Sequence, residues 1–382
     1  MTVVKNVKLS CNDEKAHKVV VIEDGIIKSI GNSVPENADE IIDGKGNILY
    51  MGLCDMHTHG AHLIDFSHAT PQEISSLEDW YSSCGVSYLF PTTATMSYDD
   101  ILVAVENIKK ASELVTKIEI SGIHIEGPFL CYERRGAHNE ELLRNPDKKL
   151  IDDILSIAGN LKIRITVAPE LDSAIDFIEY CTEKGVEVTI GHSIADNETC
   201  IKAIEAGANC VTHTFNGMNP LHHREPGVLG TALAEDIYAE MICDGIHVCK
   251  TVVKMFSKAK GADKAVLISD SVLLCGCDEG TSVLNAGGME EKMIDGKIMN
   301  VQYNCLAGSS LALKAGVKNY MEFTGVSLDT AVKCASENAL CCVGLDTDKY
   351  TIKEGNMANF VLFSPDGILL RTIFNGKTVF EA

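Results

Sequence analysis

The sequence predicts an α/β fold: a TIM-like (β/α)8 barrel with a small β-sandwich built from both ends of the chain. Three observations lead there. From residue 51 onward a short run rich in Val, Ile and Leu, a polar turn and an amphipathic stretch of helical period recur eight times. Six residues of metal-ligating type fall just past the ends of those apolar runs, the rim where such barrels place their chemistry. The flanks behave differently, because residues 2–50 and 352–380 alternate apolar and polar positions at period two.

Short apolar runs bounded by Gly, Pro or polar turns read as buried parallel strands. In order they are Met51–Met56, Ser87–Pro91, Ile118–Ile125, Ile163–Ala168, Glu187–Ile190, Cys210–Thr212, Ala239–Cys243 and Ala265–Ser269. Helical period runs through Ile101–Leu114, Ala174–Lys184 and Glu198–Ala206, the last stopped by Gly207. In the flanks, Glu23-Asp24-Gly25 and Asp43-Gly44-Lys45-Gly46 read as turns, and β-like alternation resumes over Asn359–Ser364 and Leu369–Phe380. The expected division is a small β domain of residues 1–50 and 352–382 beside a barrel of residues 51–351.

The composition bounds the partners. A chain of 382 residues with 46% hydrophobic content can fill a barrel core. Its formal charge of −21, from 33 basic and 54 acidic residues, repels nucleic acid and anionic membranes at long range, so neither is an expected partner. Met1–Ser10 lacks the continuous apolar core of a signal peptide, and no later stretch reaches transmembrane length. With fifteen cysteines scattered through apolar runs, this predicts a cytoplasmic protein with reduced, mostly buried thiols. Cys275 and Cys277 are one residue apart, which is not the spacing of a zinc knuckle or a redox motif.

The candidate site begins with His57 and His59. Alternate residues of a strand share a face, so the pair aims two imidazoles at one point from a single strand end. Glu126 follows in His124-Ile125-Glu126-Gly127-Pro128, where Gly and Pro break the strand and leave the carboxylate at the rim. His192 follows the fifth run, His213 the sixth and Asp270 the eighth. Singly, these could be core histidines, a turn glutamate and a helix-capping aspartate. Jointly they point to a metal site. Imidazole and carboxylate suit a divalent cation, zinc first among candidates, with iron or another divalent ion as alternatives. Asp270 can both hold such a metal and shuttle the proton of an activated water.

A second group suits substrate binding. In Thr214-Phe215-Asn216-Gly217-Met218 small residues expose backbone N–H groups, and Arg224 in His222-His223-Arg224-Glu225 offers a forked cation for phosphate, although it could also pair with Glu225. His247 in Asp244-Gly245-Ile246-His247 brings an imidazole to the same rim, and His138 could hydrogen-bond a sugar hydroxyl. Arg134 and Arg135 read as a solvated loop. The chain carries no P-loop, dinucleotide fingerprint or nucleophile elbow, which leaves water as the expected nucleophile.

These motifs in this order resemble the N-acetylglucosamine-6-phosphate deacetylases of the amidohydrolase superfamily, from about Val19 to the C-terminus. The resemblance rests on His-Ile-Glu-Gly-Pro-Phe at 124–129, Gly-Ala-His at 136–138 and Gly-His-Ser at 191–193. It extends through Thr-His-Thr-Phe-Asn-Gly-Met from 212, His-His-Arg-Glu-Pro-Gly at 222–227, Asp-Gly-Ile-His at 244–247 and Leu-Ala-Gly-Ser at 306–309. It implies that Glu126, His192 and His213 hold the main metal and that Asp270 is the catalytic acid and base. His57 and His59 match the branch that keeps a histidine pair at the first strand, so one or two ions per subunit are expected. Ala137, His138, Asn216, Gly217, Arg224, His247, Leu306 and Ala307 would surround the substrate. The arginine would reach the phosphate bound by a neighbouring subunit, implying a homodimer.

The implied reaction is hydrolysis of the N-acetyl amide of an amino-sugar 6-phosphate. Some positions depart from the family pattern: Ser269-Asp270-Ser271 replaces the usual Ser/Thr-Asp-Ala, Gly217 stands where Ala is usual, Met51-Gly52 replaces Pro-Gly, and 272–305 diverges. N-acetylgalactosamine 6-phosphate is an alternative substrate. A cyclic amidohydrolase would generally use a bridging lysine, where this chain offers Glu126 instead. A catalytically silent sugar-phosphate binding protein is the alternative from another class.

Overall fold

The computed structural model describes residues 1–13, 18–285 and 288–382. Positions 14–17 of the expected N-terminal β segment and 286–287 of the divergent stretch lie outside the described residues.

Eight parallel strands form the barrel: β1 (Leu53–Thr58), β2 (Val86–Thr93), β3 (Gly122–Glu126), β4 (Lys162–Val167), β5 (Glu187–Ile190), β6 (Cys210–Val211), β7 (Tyr238–Ile242) and β8 (Ala265–Ile268). Each pairs in parallel with the next. The β8–β1 seam is joined by Asp270 N–H donating to the His57 carbonyl at 2.9 Å and Ser269 N–H donating to Asp55 Oδ1 at 3.2 Å. Outward residues such as Ile123, Ile163, Ile165 and Leu267 pack beneath the helices, while Cys54, Met56, Tyr88, Phe90, Ile242 and Ile268 form a separate inner cluster. This two-sided burial is why the strands read as near-continuous apolar runs.

The expected helices form with small shifts. Tyr98–Ser112 starts a turn before Ile101, because the Ser97 side chain accepts from Asp100 N–H and sets the start there. Ala174–Glu183 and Asn197–Glu205 fall within a residue of their expected bounds. The expected first strand needs a larger correction. Met51 ends a separate strand, Ile48–Met51, that pairs with Phe360–Phe363, and β1 begins only after Gly52. A Cβ on Gly52 would lie 2.0 Å from Ser87 Oγ, so the chain passes from one sheet to the other where only glycine fits.

The chain ends build two four-stranded sheets. One orders Ile26–Gly31, Lys18–Glu23, Thr2–Val7 and Glu40–Asp43; the other orders Lys377–Glu381, Leu369–Phe374, Phe360–Phe363 and Ile48–Met51. Val4, Val20, Ile22, Leu49, Phe360 and Leu362 form a core between them. The divergent stretch after β8 is also ordered into strands: Ser282–Leu284, Glu290–Ile294, Lys297–Asn300 and Cys305–Leu306 make an antiparallel sheet at the barrel mouth. No helix among the described residues is long and apolar enough to cross a membrane.

At the entry to β3, a Cβ on Gly122 would sit 2.2 Å from the Phe90 ring and 2.5 Å from the Lys162 carbonyl oxygen. Gly122→Ala is therefore expected to lower stability by about 1–3 kcal/mol in denaturant unfolding. An unchanged midpoint would show that β3 and β4 can part there without loss.

Candidate functional site

All six expected ligands meet at the C-terminal mouth of the barrel, and all are buried. His57 lies within β1 and His59 just beyond it, Glu126 ends β3, and His192, His213 and Asp270 follow β5, β6 and β8 within two residues. His192, His213 and Asp270 adopt φ of 48°, 24° and 49°, a left-handed backbone that side chains other than glycine rarely take. Such strain persists where the surroundings over-determine it. Here Asp270 N–H is held by the His57 carbonyl, and His213 N–H by Glu240 Oε2 at 2.8 Å.

Glu126 sits at the centre with its two oxygens turned to different partners. Oε1 lies 3.0 Å from His213 Nε2 and 3.3 Å from His192 Nε2, while Oε2 lies 3.0 Å from His59 Nε2 and 3.4 Å from His57 Nε2. Asp270 Oδ1 is 3.4 Å from His57 Nε2 and 3.5 Å from His59 Nε2. The residues thus form two triads, His57–His59–Asp270 and Glu126–His192–His213, each with its ligand atoms within 4.8 Å of one another. They fit a divalent metal. His57 Nε2 is buried without a hydrogen-bond partner, and the Nε2 atoms of His192 and His213 face each other at 3.0 Å, so lone pairs converge on shared space.

The electrostatics follow from this crowding. Burial works against a charge on His57, but the carboxylates of Glu126, Asp270 and Glu240 outweigh it and hold the imidazole well above its ordinary range. His59 is likewise lifted to about 9, against burial, by Asp270 and Glu126. Asp270 is held down at about 2 despite burial, by the charge of His57 and its bond to His59. These imidazoles must shed their protons to take a metal. His138 goes the other way: burial and the neighbouring His192 press it down to about 3, so it stays neutral 3.6 Å from Glu126 Oε2.

One cavity opens over this centre. Ala137, His138, Asn216, Gly217, His247, Leu306 and Ala307 all line it. Arg224 does not; it stands on an exposed loop with Nη1 2.8 Å from His223 Nε2. Gly217 has φ 62°, and a Cβ there would press to 2.9 Å from His192 Nδ1, so this chain's glycine gives the ring room. The expectation that Arg134 and Arg135 are merely solvated is corrected. The Arg134 carbonyl faces His192 Nδ1 at 2.8 Å and orients that ring, and Arg135 stacks on Tyr132 and pairs with Glu140 at 2.6 Å.

Several site residues escaped the sequence reading. Glu240 and Arg164, an ion pair of wholly buried groups below the site, are lone charges in the apolar runs of β7 and β4, a signal that was there to be read. Glu291 enters the cavity wall from the antiparallel sheet after β8, and Asn285 and Met289 from between its first two strands, none of which any local pattern ties to the barrel. All fifteen cysteines are free thiols, as expected.

The model of the amidohydrolase family matches residues 48–379. The chain belongs to the amidohydrolase family. It is 33% identical to the N-acetylglucosamine-6-phosphate deacetylase of Bacillus subtilis over 94% of this chain and 92% of that one. It is 31% identical to the enzyme of that name from Rattus norvegicus, over 90% and 86% of the two chains. Among solved structures, the N-acetylglucosamine-6-phosphate deacetylase of Thermotoga maritima superposes over 100% of both chains with a TM-score of 0.87 at 30% identity. That of Mycobacterium smegmatis, as a point mutant in complex with N-acetyl-D-glucosamine-6-phosphate, does so over 99% of this chain and 98% of that one with a TM-score of 0.88 at 27% identity. The resemblance carried by the motifs is borne out along the length of the amidohydrolase chain.

Glu291 offers a test of the cavity wall. Burial pushes its carboxyl up from 4.5 to about 7, while Oε1 accepts from Asn285 Nδ2 at 2.6 Å. An acid with a raised folded pKa binds its proton more tightly when folded, so its contribution to stability falls as pH rises from about 4.5 through about 7. Glu291→Gln keeps the acceptor and removes the ionisation. In the metal-stripped protein the variant is expected to melt above wild type at pH 8 and level with it near pH 4.5; identical differences at both pH values would contradict a buried, protonated Glu291.

Proposed function

We propose that this chain hydrolyses the N-acetyl amide of N-acetylglucosamine 6-phosphate, giving glucosamine 6-phosphate and acetate. The observation that carries the reading is Glu126, a member of one ligand triad whose second oxygen faces the other, at the floor of a cavity lined by the motif residues. The relatives and solved neighbours that bear this activity in their names match the whole chain rather than one motif. His57, His59 and Asp270 would hold one divalent ion and Glu126, His192 and His213 another, with zinc the first choice for an imidazole and carboxylate set. Such an ion supplies Lewis acidity, polarising an amide carbonyl and making water acidic enough to ionise near pH 7.

The chain's own residues supply the rest. Asp270, ionised at neutral pH, takes the proton of the attacking water and delivers it to the amine nitrogen as the C–N bond breaks. His138, neutral and facing the cavity, hydrogen-bonds the sugar or its acetyl group, and Asn216 and Gly217, which line the same wall, pack against the ring. His247, its Nδ1 fixed 2.7 Å from Asp244 Oδ2, turns its other nitrogen to the cavity rim. The 6-phosphate needs a cation that this wall does not offer, since none of the described residues lining the cavity is lysine or arginine. Arg224, exposed and reaching outward, is suited to serve a second copy, so we read the protein as a homodimer in which the partner subunit's Arg224 completes the phosphate site. Fifteen free cysteines fit a reducing, cytoplasmic setting. We also read residues 1–50 and 352–382 as a small β domain attached to the barrel of 51–351.

Acetate release from N-acetylglucosamine 6-phosphate, with and without metal stripping, tests the proposal directly, and N-acetylgalactosamine 6-phosphate in parallel separates the two sugars. Asp270→Asn is expected to keep the fold and lower kcat by about 10²–10⁴-fold; turnover close to wild type removes Asp270 from proton transfer. Arg224→Ala is expected to raise KM about 10–100-fold with kcat nearly kept, the loss of one charged hydrogen bond to phosphate. An unchanged KM would mean the phosphate is held elsewhere.

A further inference from the structure

Beneath the site, inside the barrel, lies an ion pair that the reaction as described does not use. Glu240 is the middle residue of β7 and shares its inward face with Tyr238 and Ile242, both packed in the inner apolar cluster. Arg164 projects inward from β4, and the two charged groups meet with no exposed surface on either. Burying such a pair among apolar neighbours costs desolvation that packing with apolar residues would avoid, so its presence needs a compensating role.

The contacts of Glu240 indicate that role. Its Oε2 lies 3.0 Å from His57 Nδ1 and accepts the His213 backbone N–H at 2.8 Å, while Oε1 faces Arg164. The Glu240 backbone carbonyl accepts Thr214 N–H at 2.9 Å. His57 belongs to one triad and His213 to the other. A carboxylate facing Nδ1 keeps the imidazole proton on that nitrogen and leaves the Nε2 lone pair pointing at Glu126 and Asp270. The second contact anchors His213 where its backbone is strained, at φ 24°.

We infer that Glu240, backed by Arg164, is a positioning residue that fixes the His57 ring and the His213 backbone together, so that one buried carboxylate sets the metal affinity of both triads. This rests on the metal-dependent reading above. Arg164 neutralises the carboxylate from behind, leaving Oε2 free to serve both histidines.

The test is metal binding by the full-length, metal-stripped protein, followed by competition with a chelator for zinc and by the visible spectrum after cobalt(II) loading. Glu240→Gln alone leaves Arg164 buried without a partner and is prone to misfold. The double variant Arg164→Met/Glu240→Gln removes both charges at similar volume. It is expected to fold with wild-type circular dichroism, to bind zinc about 10–100-fold more weakly, to show an altered cobalt spectrum, and at saturating metal to keep the KM for N-acetylglucosamine 6-phosphate. Should that variant fail to fold, Glu240→Asp keeps the ion pair but withdraws the oxygens by one methylene, and a smaller weakening with the same spectral change is expected. A folded variant of either kind with wild-type zinc affinity and cobalt spectrum overturns the inference. Wild-type protein that takes up no metal would instead overturn the metal-dependent reading itself.

Discussion

The site depends on one carboxylate facing two ways. Glu126 turns Oε1 to His192 and His213 and Oε2 to His57 and His59, which gathers four histidines carried by three other strands to within 3.4 Å of a single carboxylate. That arrangement requires β1, β3, β5 and β6 to end at a common height, as the register of a closed parallel barrel provides. It also requires the chain to turn away at once after Glu126. A Cβ at Gly127, which has φ 87°, would come within 2.0 Å of Thr95 Oγ1, so the turn is available only to glycine.

Much of this was legible in the sequence because a buried parallel strand leaves a strong mark. Val, Ile and Leu runs such as Ile163–Ala168 and Ala265–Ser269 located β4 and β8 to within a residue or so. The histidines and acids that follow such runs fell at the rim because the runs end there. Met51 was misplaced for an equally physical reason: Ile48–Met51 and β1 are both apolar strands, and only the crowding of Gly52 against Ser87 separates them. Period and propensity do not register a contact between residues 35 positions apart. The sheet of 282–306 was illegible as part of the cavity wall because its strands are short and partly exposed, and its placement depends on tertiary packing of Met293 and Ile298 against Val272 and Leu274.

The charge distribution shows why net charge and local recognition must be kept apart. A protein at −21 attracts no phosphate at long range, and the described residues of the cavity wall add no lysine or arginine. Its positive character resides in histidines at the site, of which His57 and His59 are held protonated by the acids around them before any metal is present. Anion recognition in such a pocket rests on short-range donors and on charge borrowed from outside the wall rather than on steering.

The pairing of Ile48–Met51 with Phe360–Phe363 has a consequence for how the molecule is made. During synthesis the N-terminal strands emerge first, yet the edge offered by Ile48–Met51 stays uncovered until the ribosome has released nearly the whole chain. The barrel strands can assemble as they emerge, each beside its predecessor. The residues leading into β1 must wait, leaving that edge unpaired through most of translation, until the Phe360–Phe363 segment near the C-terminus arrives to cover it.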